Sequence, residues 1–137
     1  MLILSETLKA QLLAEARKAN PAECCGLLEG FREGTAFRVT ALHPSANLSS
    51  EPETGFEIDP TLQFSLLRGL RGTGRSIIGC YHSHPTGKAE PSARDRAGGC
   101  NEEFIWIIMS TGVIAGAEPV LAAFREPGFD PIAITSP

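Results

Sequence analysis

Two histidines and an aspartate offer the most definite chemistry in this chain. His82 and His84 stand two residues apart, where the apolar run S-I-I-G-C-Y-H (Ser76 to His82) ends, and Asp95 follows eleven residues after His84. On an extended strand, residues i and i+2 project to one face, so both imidazoles point the same way. Ser92 lies three residues before Asp95, a helix start of the capping-box kind with Asp in place of the usual Glu. A cap of that kind can orient Asp95 and still leave its carboxylate facing a metal. A lone histidine at a strand end reads as a satisfied core residue. Two on one face with a carboxylate in reach read as a three-ligand zinc set with a fourth position for water.

The elements that must position these groups follow from pattern. Ser5 caps a helix starting at Glu6, with Leu8, Leu12, Leu13 and Ala16 at helical spacing. Pro21 ends it by disfavouring helical backbone at Asn20. A strand from Glu23 to Glu29, a turn from Gly30 to Gly34 and a strand from Thr35 to Leu42 make a hairpin. Residues 43–57 are rich in Ser, Pro, Glu and Asn. They read as a long loop, a flap over a groove, with His43 a solvated loop histidine. Asp59 caps and Pro60 opens a second helix, with Leu62, Leu66, Leu67 and Leu70 on one face. The histidine strand comes next, then a short helix from Ala93 to about Gly98. Strands at Phe104–Ser110, Val120–Arg125 and Pro131–Thr135 complete the sheet, pairing antiparallel at one edge. Helices interleaved with strands give an α/β fold with a mixed β-sheet flanked by helices. The 137 residues fit a single domain over 1–137.

Composition narrows the function. A net charge of -4 and a pI near 5.4 argue against a nucleic-acid partner or an anionic membrane surface. The apolar run Phe104 to Met109 is too short to span a bilayer. Met1 to Leu4 lacks a signal peptide's basic region, so a cytoplasmic location is expected. Cys24, Cys25, Cys80 and Cys100 form no C-x-x-C pair and read as reduced thiols. Cys80 shares the face of His82, and on the residues alone thiolate ligation stays open. Tyr81 and Trp106 read as core residues, and Lys88 and Glu90 as a solvated turn.

The run H-S-H-P-x6-S-x2-D, from His82 to Asp95, resembles the signature of the JAMM (MPN+) zinc metallopeptidases. Gly79-Cys80-Tyr81 resembles its lead-in. P-A-E-C-C-G-L-L-E-G, Pro21 to Gly30, is similar to that family's first block, and Phe56 to Pro60 to its entry into the second helix. The resemblance spans about residues 5 to 125. It implies an MPN/JAB-like, three-layer α/β/α fold similar to the cytidine deaminases. It implies one zinc ion on His82, His84 and Asp95 with water as fourth ligand. It assigns Glu23 as the proton carrier, which the residues alone would not single out among thirteen glutamates, and Ser92 as the oxyanion donor.

The compact length matches the small prokaryotic branch. That branch implies a peptidase or isopeptidase cutting after the C-terminal tail of a ubiquitin-like or sulfur-carrier protein. The alternative is a non-catalytic MPN scaffold that binds protein, against which the intact ligand set counts. A nucleobase deaminase would need H-x-E and P-C-x-x-C, and the chain has neither.

Overall fold

The computed structural model describes residues 1–111 and 118–137. In chain order its elements are β1 (Leu2–Ile3), α1 (Glu6–Ala19), β2 (Cys25–Glu33), β3 (Ala36–Ser45), α2 (Pro60–Gly69), β4 (Ser76–His84), α3 (Ala93–Ala97), β5 (Phe104–Ser110), β6 (Val120–Glu126), β7 (Asp130–Ile132) and β8 (Ile134–Thr135). The sheet runs β7-β6-β5-β4-β2-β3-β1-β8. β4 and β5 are parallel, as are β1 with β3 and with β8; the other pairs are antiparallel. The mixed α/β sheet is as expected, and so is the antiparallel run β5-β6-β7. Only Ala133 separates β7 from β8, which pair at opposite ends of the strand order. The segment 130–135 therefore joins both edges, and the sheet curls until its ends meet. The single strand expected at Pro131–Thr135 is in fact two strands. Met1 to Leu4 supplies β1, whose pattern is too short for periodicity to reveal.

α1 and α2 cover opposite faces. Leu12 and Ala16 of α1 enter a core with Leu28, Tyr81, Ile105 and Ile107. Leu62 and Leu66 of α2 pack on a second core with Leu27, Cys80, Trp106 and Ile108. The alternation along β4 sorts its side chains: Tyr81 reaches α1, where its hydroxyl donates to Glu15 Oε2 at 2.8 Å, while Cys80 faces α2. The caps are as the sequence indicates, with Ser5 Oγ accepting from Leu8 N and Asp59 Oδ1 from Thr61 N.

The hairpin differs from expectation. β2 runs on to Glu33 and the turn shrinks to Gly34-Thr35, because Gly30 serves close packing and not a turn. Its register shifts beside Glu29, and a Cβ at Gly30 would lie 2.0 Å from the Arg38 carbonyl oxygen. β3 reaches Ser45, so His43 is a strand residue. It sits 2.9 Å from Glu29 Oε1, and Arg75 bonds the other oxygen at 2.7 Å. Its expected placement in a solvated loop is corrected by this pairing.

Candidate metal centre

The site forms where β2 begins and β4 ends. In the antiparallel ladder Gly26 faces Tyr81 and Cys25 faces His82. A Cβ at Gly26 would lie 2.3 Å from the Tyr81 ring, so glycine is what lets these strands close. The pairing continues past the strand: Ser83 N–H donates to the Cys24 carbonyl at 3.1 Å, and Cys24 N–H donates to Ser83 Oγ at 2.8 Å. Glu23, one residue further back, is thereby carried to the histidines. Ligand atoms of Glu23, His82 and His84 all lie within 4.8 Å of one another.

Asp95 completes the cluster from α3. Its Oδ2 lies 3.1 Å from His82 Nε2 and 3.2 Å from His84 Nε2, and those two nitrogens are 3.1 Å apart. The capping box fixes that carboxylate: Asp95 N–H donates to Ser92 Oγ at 3.0 Å, and Ser92 N–H donates back to Oδ2 at 2.9 Å. Ser92, with Glu23, His84, Glu53 and Thr54, lines a cleft of about 200 Å³.

The donor set fits a zinc ion. His84 Nδ1 donates its proton to the Lys88 carbonyl at 2.7 Å, which leaves the Nε2 lone pair facing His82 and Asp95. Ligands at about 2.0–2.1 Å round a tetrahedral zinc stand roughly 3.3 Å apart. The observed triangle has nearly that size. Two imidazole nitrogens and one carboxylate oxygen thus converge on one point. Cys80 stands apart from this cluster, packed with Leu27 and Trp106. Burial, with the charges of Asp95 and Glu126, holds its thiol well above the usual range.

Electrostatics separate the groups further. Burial pushes the Glu23 carboxyl up to about 7; His84 draws it down and Asp95 raises it. Its Oε1 is buried without a hydrogen-bond partner among the described residues. Burial would raise Asp95 too, but the two histidines and the Ser92 N–H outweigh this and hold it below the carboxylate range. Burial lowers His82. For His84 burial is outweighed by Asp95 and the Lys88 carbonyl, and the ring is raised. Cys24 and Cys25 are pushed up by burial to about 11 and about 12, which makes a reactive thiolate pair unfavourable.

Several contributors escape a sequence reading. The Lys88 carbonyl is a backbone group, which no side-chain pattern reveals. Phe56 stacks on His82 with ring centroids 4.3 Å apart at 20°. Trp106, read as core, is indeed buried, and it stands edge-on to His82 at 5.7 Å. Asn47 carries five hydrogen bonds within 46–58 and to Glu23. Its only sequence mark is the Asn-x-Ser spacing of an Asx turn.

Most of the chain matches known proteins. The family described as prokaryotic homologs of the JAB domain matches residues 5–125. A desampylase of Haloferax volcanii is 35% identical over 130 residues, covering 91% of this chain and 92% of that protein. A probable TtuB-protein conjugate cleaving protease of Thermus thermophilus is 40% identical over 93 residues, covering 68% of this chain and 56% of that one. The solution structure of a Desulfitobacterium hafniense protein superimposes with a TM-score of 0.85 at 32% identity, covering 100% of this chain and 93% of that one.

Proposed function

Because the chain belongs to the prokaryotic JAB-domain family, the compact branch of the JAMM (MPN+) hydrolases, we propose that it is a zinc-dependent isopeptidase. Its substrates are peptide or isopeptide bonds after the C-terminal tail of a ubiquitin-like, sulfur-carrier protein. Relatives named for desampylation and for cleaving TtuB-protein conjugates support that substrate class. The observation that carries the reading is the convergence of Glu23, from before β2, on the two histidines of β4. A metal site needs only the ligands; a buried carboxylate beside them supplies the proton carrier that hydrolysis requires.

In this reading His82, His84 and Asp95 hold the ion. When bound, zinc supplies a Lewis acid that draws the pKa of a water towards ~7. Glu23 Oε1 takes the proton that the attacking water sheds and returns it to the departing amine nitrogen. Burial raises its carboxyl above the usual glutamate range, which favours a group that both takes up and gives back a proton. The Ser92 hydroxyl accepts from Asp95 N, and its own O–H is free among the described residues to donate to the carbonyl oxygen as charge develops there. Asp95, held by the Ser92 cap, stays ionised throughout. The reading places the protein in the cytoplasm, as a single domain. Among the described residues no helix is long and apolar enough to cross a membrane.

The test is direct. The protein is incubated with a sulfur-carrier protein bearing a C-terminal extension, with and without chelator, and the product mass is read. Cleavage directly after the carrier tail, abolished by chelator and restored by zinc, is expected. A protein that binds no zinc and leaves every extended carrier intact would instead be the protein-binding scaffold.

A further inference from the structure

We infer that Asn47 is a positioning residue that holds the proton carrier and a metal-ligand ring in mutual register. The inference rests on the metal site proposed above. Asn47 Nδ2 donates to the Glu23 carbonyl at 3.1 Å and to the Gly55 carbonyl at 3.0 Å, with the Pro52 carbonyl further off at 3.4 Å. Its Oδ1 accepts from Ser49 N at 3.0 Å and Glu57 N at 3.1 Å. One amide thus grips the backbone of Glu23 on one side. On the other it grips the two residues that flank Phe56. The Pro52 carbonyl adds a second hold on Glu23, accepting its N–H at 2.7 Å.

Phe56 is where this knot meets the ligands. A ligating histidine almost always donates its second ring N–H to a carboxylate, carbonyl or water, which sets the ring's orientation. His84 does so, through Lys88. His82 does not: its Nδ1 is buried without a partner among the described residues. Its ring is set by packing, between the stacked face of Phe56 and the edge of Trp106. Trp106 is itself fixed, its indole N–H donating to buried Glu126 at 2.6 Å. The segment 46–58, most of which falls in the 43–57 loop expected as a flap, is therefore bonded to Glu23 and to the backbone around Phe56. Loosening Asn47 frees the Glu23 backbone and the Phe56 clamp together.

Three variants separate this role from general stability. Asn47→Asp keeps the two acceptor bonds of Oδ1 and loses both donors. Phe56→Leu keeps apolar bulk and loses the ring face, and Phe56→Tyr restores it. Trp106 is the only tryptophan, so its emission reports on the cage without any substrate. Zinc affinity is measured by chelator competition and folding by far-UV circular dichroism. Asn47→Asp and Phe56→Leu are expected to fold, to bind zinc about 10-fold or more weakly and to shift Trp106 emission. Phe56→Tyr is expected to recover both. For hydrolysis, Asn47→Asp lowers kcat with KM little changed. Wild-type zinc affinity and emission in both Asn47→Asp and Phe56→Leu would overturn the inference and leave the proposed function standing. Wild-type protein that binds no zinc overturns the two together.

Discussion

Cys25 and His82 lie opposite each other in the β2–β4 ladder. That one register position brings a glutamate and a histidine fifty-nine residues apart into a single site, because Glu23 precedes Cys25 by two residues. The consequence is testable at Glu23, to which the proposed mechanism gives proton transfer and not metal binding. Glu23→Gln keeps the size and the backbone bonds to Pro52 and Asn47. It is expected to retain one zinc per chain by atomic absorption while kcat falls 10²- to 10⁴-fold, the range of general acid–base contributions. Retained turnover would remove Glu23 from the chemistry.

The pH dependence has a definite sign. Glu23 accepts a proton only as a carboxylate, so activity is lost on acidification. Burial sets the metal-free group at about 7 against a usual value of 4.5, and a cation beside it draws it back down. The acidic limb of kcat/KM is therefore expected no higher than about 7. A limb above that value would show that a group other than Glu23 sets the acidic loss of activity. Stability of the chelated protein runs the other way. A folded-state pKa raised from 4.5 to about 7 contributes stability below 4.5 that is lost as pH rises through about 7. Asp95, held low, contributes stability above its usual 3.8 that is lost as pH falls further.

How far the sequence discloses this site depends on whether a group acts through side-chain type or through tertiary position. His82 and His84 are legible because strand alternation fixes their common face, and Asp95 because a cap precedes it. Glu23 is legible only through resemblance, since its environment is made by pairing with a distant strand. Residues 43–57 are legible as a loop, but the knot around Asn47 is not, because its bonds go to backbone groups. His43 misleads for the opposite reason. His-Pro suggests a loop, yet Pro44 is tolerated in β3, and Glu29 draws the ring into the sheet. The two-residue strands β1 and β8 are too brief for any periodicity to show, and only pairing with distant segments defines them, β1 between β3 and β8.

Metal binding predicts a linked gain in stability. A ligand that binds only the folded protein at a hundred times its Kd stabilises it by about 2.7 kcal/mol. Thermal unfolding of the wild-type chain with and without zinc is expected to show a Tm increase of several degrees. His84→Ala removes one of three converging donors and leaves the Lys88 carbonyl without its bond. Its Tm is expected not to respond to zinc, and its metal content to fall to background. A zinc-dependent Tm in that variant would dismiss His84 as a ligand.

Glu126 makes a prediction on folding energy. It is 1% exposed and accepts from Trp106 Nε1 at 2.6 Å and from Asn101 N at 3.2 Å. Gly99 leaves the space this carboxylate occupies, since a Cβ there would lie 2.5 Å from Glu126 Oε1. Glu126→Ala strands two N–H donors, one of them on a buried ring, beside a new cavity. At about 1–3 kcal/mol for each unsatisfied group, the loss is expected to be about 3 kcal/mol in denaturant unfolding. Glu126→Gln keeps one oxygen acceptor and is expected to lose less than half as much. Trp106 emission separates the effects: it shifts in Glu126→Ala and stays near wild type in Glu126→Gln if the indole bond is what anchors the ring. Equal losses in both variants would show that the carboxylate's charge, and not the bond to Trp106, carries the stabilisation.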